Sequence, residues 1–249
     1  MPRELAESVE EANLDPSVHV IALAGSGKGF CGGYDLVEYA EAQPPNHDPE
    51  RPWDPVVDWQ MMSRNLRGFM SLFHSDKPVI CKVHGFCVAG GTDLALCSDL
   101  LVIADDARIG YPPARVWGVP TSALWAFRVG DQRAKRLLFT GDLIDGRTAH
   151  EWGLAVEAPP AAELDESFER LVERVALTPV NQLVMMKLLV NQALYAQGLH
   201  ATQALGVFFD GIARHTPEGY EFQRRAAEAG FKEAVRERDQ PYDERESAP

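Results

Sequence analysis

Hydrophobic and polar positions along the chain follow two rhythms, and each predicts a different kind of element. Short apolar, β-branched runs at Val18 to Leu23, Pro78 to Val83 and Leu100 to Ala104 read as buried strands, with Leu154 to Glu157 as a further short one. Apolar residues at helical spacing mark Pro2 to Asn13 and Val56 to Phe73, while Leu137 to Gly141 and Thr148 to Trp152 close two small helices. From Ala161 to Arg238 the pattern predicts four helices whose faces alternate between apolar and charged. EAQPPNHDPERPWDP (Glu41 to Pro55) is proline-rich and polar, the signature of a loop, and is expected to form an active-site lid or a mobile flap. Strand, glycine turn and helix recur, so the predicted class is α/β, a spiral of sheets flanked by helices. Residues 1–178 form that core and residues 179–249 a C-terminal helical region.

The turns between strands and helices carry the candidate chemistry. In KPVICKVHGFCVAGGTDLALCSD (Lys77 to Asp99), Gly90-Gly91 turns the backbone tightly into a short helix that bears Asp93. The first amides of a helix lack intrahelical partners and lie at the positive end of its dipole, so they can meet an oxygen that becomes negative during a reaction. Taken alone, Gly-Gly is first of all a tight turn. A second stretch, ALAGSGKGFCGGYDL (Ala22 to Leu36), is equally stripped of side chains. As a phosphate loop it fails, because Gly27-Lys28 is followed by Gly29 where Ser or Thr is required.

Together the two stretches resemble the signature segments of the crotonase superfamily, the enoyl-CoA hydratase/isomerase family. Gly25, Gly27, Phe30, Cys31, Gly33, Asp35 and Leu36 match the first; Lys77 to Ile80, Val83, Gly85, Gly90-Gly91, Asp93 to Leu96 and Asp99 match the second. The likeness continues through Ala107 to Pro120 and Gly130 to Gly153 and fades into the C-terminal helices. It implies a crotonase-like spiral of ββα units whose C-terminal helices pack copies into a homotrimer or a dimer of trimers, with Leu183 to Leu194 as a candidate contact. It also implies an acyl-CoA or enoyl-CoA thioester as substrate, with coenzyme A as part of that substrate and no permanently bound cofactor.

In the family, the thioester oxygen accepts two backbone amides, which here belong to Tyr34 and Gly90; Gly33, Asp35 and Leu36 complete the CoA-binding segment. Asp35 also reads as a cap on its glycine-rich loop. Hydratases of this kind place one glutamate at the position of Asp93 and a second at the position of Pro113, so this chain keeps a shorter carboxylate and lacks the other. Asp93 is open to two readings, general base or helix cap. His84, Tyr111, Arg115 and Asp145 are further candidates for the second acid or base, and His84 reads first of all as a structural ring. The pair of strands, turn and longer helix with which family members usually begin are not in this sequence, so either the start is truncated or the sheet is shorter than usual. The default reaction is hydration of a 2-enoyl-CoA in fatty acid metabolism. Isomerisation, hydrolysis, decarboxylation and acyl-CoA binding without turnover are the alternatives.

Composition narrows the setting. With 249 residues, 45% of them hydrophobic, the chain can bury a full core. A net charge of -13 opposes nucleic-acid binding. No apolar run approaches a membrane span and the charged N-terminus is unlike a signal sequence, so a cytoplasmic location is expected. The four cysteines (Cys31, Cys81, Cys87 and Cys97) lack metal-like spacing and read as buried thiols, with no metal expected.

Overall fold

The computed structural model describes residues 1–42 and 45–246. In chain order its elements are α1 (Pro2–Leu14), β1 (Ile21–Ala24), α2 (Pro55–His74), β2 (Val79–Val83), β3 (Phe86–Val88), α3 (Gly90–Leu96), β4 (Leu100–Ile103) and β5 (Arg108–Gly110). There follow α4 (Trp125–Val129), α5 (Asp131–Thr140), β6 (Leu143–Asp145), α6 (Gly146–Glu151), α7 (Leu164–Ala176), α8 (Val180–Ala196), α9 (Leu199–Arg214), α10 (Pro217–Ala229) and α11 (Phe231–Glu246). One sheet has the order β1-β2-β4 and is parallel; the other has the order β3-β5-β6, with β6 antiparallel. Because β2 leads into β3 and β4 into β5, each successive strand pair places one strand in each sheet, which gives the chain its spiral course.

Local chemistry explains the frame. β2 reads VICKV with almost every position buried, as a central parallel strand covered on both faces requires. The Asp99 carboxylate accepts the Val79 amide at 2.7 Å and ties the start of β2 to the turn before β4. In α2, Asp54 caps the first turn by accepting from Val56 at 2.9 Å, Pro55 follows at the first helical position, and Leu66, Phe69, Leu72 and Phe73 enter the core.

The C-terminal helices share that core, since Leu199 and Val207 of α9 belong to the same buried cluster as the strands. Lys187 of α8 is buried, donates to the carbonyls of Leu72 and Lys77 at 2.9 and 3.0 Å, and pairs with Asp99 at 2.8 Å. The outer faces of α8 and α9 leave Met186, Leu189, Val190, Phe208 and Phe209 exposed. No helix among the described residues is long and apolar enough to cross a membrane. Cys81, Cys87 and Cys97 are buried and Cys31 is half-buried, all as free thiols.

The sequence expectations need four corrections. Five α-helices follow residue 161, not four, because Gly198 and Gly230 break the pattern with φ of +94° and +87°. Leu154 to Glu157 forms only an isolated bridge from Glu157 to Val102. The three-residue strands β3, β5 and β6 have no counterpart in the reading, being too short for a period to show. The stretch expected to be a lid or flap is tied into the fold. Residues 43 and 44 lie outside the described residues, but His47 is buried, and Asn46 Nδ2 and Trp53 Nε1 donate to Asp58 at 2.9 and 2.6 Å.

Candidate active site

The two glycine-rich segments meet at one side of a cavity of about 100 Å³. Glycine is required there by close approach. A Cβ on Gly33, whose φ is +94°, would lie 2.9 Å from the Ala89 Cβ and 3.0 Å from the Gly90 nitrogen. One on Gly90 would lie 3.0 Å from the Tyr34 ring. Gly90 opens α3, and the Tyr34 and Gly90 amides have no acceptor among the described residues. Tyr34, Leu36 and Gly90 line the cavity, so two unused amides flank a space that an oxygen could enter.

Asp93 lies on the same wall, 1% exposed. Its Oδ1 accepts the Ser122 amide at 2.9 Å and the Ser122 hydroxyl at 2.6 Å, while its Oδ2 has no partner. The helix-cap reading is therefore overturned: Ala89 is the N-cap of α3, without a side-chain bond, and Asp93 bonds to a different segment. Burial pushes its carboxyl up to about 6, against the lowering effect of the Ser122 hydrogen bonds. A base with one free oxygen and a pKa near neutrality can move a proton at physiological pH.

The other expected positions divide cleanly. Tyr111 is buried on the cavity wall, and its phenol is held well above its usual range by burial and then by the charges of Asp93 and Asp210. Pro113 lines the cavity within a 3-10 turn (Pro112–Ala114) and offers no proton. His84 does not line it; its Nε2 faces the Gly27 carbonyl at 3.0 Å, the structural role. Asp35 accepts the Val37 amide at 2.9 Å and caps the turn after the glycine segment, and neither it nor Gly33 lines the cavity. Arg115 is taken up by Asp142 and Asp239, and Asp145 caps α6 through Thr148.

The opposite wall went unread. Asp210 and Arg214 of α9 both line the cavity, and Asp210 Oδ1 accepts the Val119 amide at 3.1 Å. Arg214 pairs with Asp210 one turn away and with Asp58 of α2 at 3.0 Å. Burial raises the Asp210 carboxyl, with Arg214 opposing it. Burial also acts to raise Asp58, but hydrogen bonds from His47 and Trp53 and the Arg214 charge outweigh it and hold Asp58 at about 2. His47, Asp58 and His215 offer ligand atoms within 4.8 Å of one another. Asp58 already accepts from Asn46, Trp53 and Arg214, however, and the guanidinium supplies the positive charge there, so the cluster is a hydrogen-bonded ion network rather than a cation site. The signal available beforehand was FFDGIARH (Phe208 to His215), which sets an acid and a base four residues apart within an apolar helical run.

Backbone strain is concentrated at this cavity. Ala89, Trp117 and Ala123 are the non-glycine residues at positive φ among those described, at +54°, +84° and +53°. Ala89 and Trp117 line the cavity, and Ala123 follows the serine that holds Asp93. Such conformations cost about 1–3 kcal/mol each and persist where the surroundings enforce them.

Comparison with known proteins finds relatives along most of the chain. A crystal structure of an enoyl-CoA hydratase from Mycobacterium smegmatis superposes with a TM-score of 0.92 at 60% identity, covering 97% of this chain and 84% of that one. The 1,2-epoxyphenylacetyl-CoA isomerase of Escherichia coli is 29% identical over 198 residues, 78% of this chain and 72% of that protein. The carnitinyl-CoA dehydratase of Proteus mirabilis is 29% identical over 177 residues, 70% of this chain and 63% of that protein. The family model for enoyl-CoA hydratase/isomerase matches residues 1–219, and the chain belongs to that family.

Proposed function

We propose that the protein is an enzyme acting on a CoA thioester, and that its default reaction is hydration of a 2-enoyl-CoA. The observation that carries this reading is the meeting of two unpaired amides, Tyr34 and Gly90, with the unpartnered Oδ2 of Asp93 in one cavity. The thioester oxygen accepts both amides, which stabilise the negative charge it gains as an enolate forms. Asp93 takes a proton from water as the water oxygen bonds to Cβ and the electron pair of the double bond moves toward the thioester oxygen. The enolate then collapses, and Asp93 returns that proton to Cα. Water has been added across the double bond and the carboxylate is restored. Asp210 is the second carboxylate, in place of the glutamate absent at Pro113. Its oxygens keep acceptor capacity beyond their bonds to Val119 and Arg214 and orient the water.

Asp93 is the acid on the cavity wall with a free oxygen, and this favours a second reading, isomerisation, in which one base carries a proton between two carbons without water. The purified protein, assayed with crotonyl-CoA and separately with a 3-enoyl-CoA, distinguishes the two. Hydration that is lost in Asp93→Asn supports the first reading; turnover of only the 3-enoyl thioester supports the second. Turnover of neither removes both. The exposed apolar residues of α8 and α9 support a trimeric assembly, in which further copies cover Met186, Leu189 and Phe209.

A further inference from the structure

The cavity is lined with polar atoms that have nothing to bond. His47 Nδ1, Trp117 Nε1 and Thr121 Oγ1 are buried and unpartnered among the described residues, and all three residues line it. This is unusual for buried groups, because an orphaned donor or acceptor keeps its full desolvation cost. His47 and Thr121 are 3% and 1% exposed. Neither belongs to the glycine-rich segments, and although the Thr121 backbone touches Asp93, the side-chain atoms of both residues are left unused by the proton transfer described above.

Their chemistry is specific. Indole Nε1 only donates, and a threonine hydroxyl both donates and accepts. The His47 Nε2 faces Asp58 at 3.5 Å, and in the tautomer that carries its proton on that side Nδ1 is an acceptor. The His47 and Trp117 rings are 6.3 Å apart and nearly perpendicular, close enough for one small group to meet both. Trp117 is held in its left-handed conformation, so its orientation is enforced by the fold. A hydrocarbon tail would leave all three atoms unpaired. A carboxylate would meet Asp93 and Asp210, and although Arg214 Nε has no partner, the guanidinium charge is already shared between Asp210 and Asp58 through its two terminal nitrogens.

We propose that the acyl group of the substrate carries an uncharged oxygen function, a hydroxyl or an oxo group, beyond the thioester carbonyl, and that Trp117 Nε1, His47 Nδ1 and Thr121 Oγ1 bind it. This inference rests on the thioester reading. Trp117 and Thr121 are then specificity-determining residues, and substrates with plain alkyl tails are poor ligands.

The test is calorimetric binding of unreactive saturated thioesters of equal length: hexanoyl-CoA, its hydroxy and oxo analogues substituted at C4 to C6, and adipoyl-CoA. At least one neutral oxygenated analogue is expected to bind about tenfold or more tighter than hexanoyl-CoA, the factor one well-made hydrogen bond supplies. Trp117→Phe keeps the ring and removes the donor, so it should erase the preference while hexanoyl-CoA affinity stays within about twofold. Thr121→Val, nearly the same size, is the second variant should Trp117→Phe fold poorly, and it should reduce the preference. Equal affinity for hexanoyl-CoA and every oxygenated analogue overturns the inference alone, as does tightest binding of adipoyl-CoA or a preference that survives both substitutions. Failure of every thioester to bind overturns the thioester reading and this inference with it.

Discussion

The glycine-rich wall of the cavity presents main chain, whereas the facing wall, built by α9 and residues 45–58, presents ionised side chains. On the first wall, Gly33 and Gly90 bring two backbone segments so close that a Cβ on either meets a neighbour at about 3 Å, and the amides are fixed by the fold itself. On the second, Asp58, Asp210 and Arg214 are all buried, and each charge is stable only because the others are present. Backbone donors are removed by no side-chain substitution other than proline, and their placement depends on glycine. The ion network depends on three separate residues and fails as a unit. Asp93 stands between the two, a side chain on the glycine wall with one oxygen held by Ser122 and one free.

Substitutions should separate the walls. The largest effect is expected for Asp93→Asn, a loss of roughly 10²–10⁴ in kcat, as removal of a general base produces. The same change should stabilise the fold. The folded carboxyl titrates at about 6, above its ordinary value of 3.8, so its contribution to stability is full below pH 4 and lost as the pH rises through about 6. Urea titrations should find the variant more stable than the parent by on the order of 1–3 kcal/mol at pH 8, and matched at pH 3.5 if the fold survives there. The parent's rate should in turn rise with pH through an acid limb near 6.

Arg214→Met tests the other wall. It leaves Asp58 and Asp210 buried without their shared cation and should cost about 3–5 kcal/mol, read from urea midpoints. Gly90→Pro removes one amide donor and should lower kcat by roughly 10²–10³. Gly90→Ala is its control, because it adds a similar crowding against the Tyr34 ring but keeps the amide, so the difference between the two isolates the donor. Asp210→Asn keeps the shape and removes the charge, and about a tenfold loss in kcat with little change in thioester affinity is expected. An Asp210→Asn rate equal to the parent's would reduce the ion network to a structural brace and leave all the chemistry on the glycine wall.

The two walls were also unequally legible in the sequence. Gly33, Gly90 and Asp93 fall within short, ordered motifs, and a tight turn into a helix is a local event that neighbouring residues specify. Arg214 finds Asp58 across 156 residues, and nothing local to α9 announces which acid will be its partner. His47 lies in a stretch whose prolines read as a loop, and only its burial beside Asp58 makes it part of a wall. β1, β2, β4 and α2 were visible because apolar runs of that length have a period; β5 and β6, three residues each, have none. The breaks at Gly198 and Gly230 could have been read as helix ends at glycines of positive φ, which would have given the fifth C-terminal helix.

The most direct test of the central claim is a crystal structure of the Asp93→Asn protein with crotonyl-CoA bound. The thioester oxygen is expected about 2.7–3.1 Å from both the Tyr34 and Gly90 nitrogens, the span of an effective oxyanion hole, with the substituted side chain of α3 beside the double bond. A thioester oxygen out of hydrogen-bond reach of both amides, or a double bond outside the cavity that Asp93 lines, would contradict it.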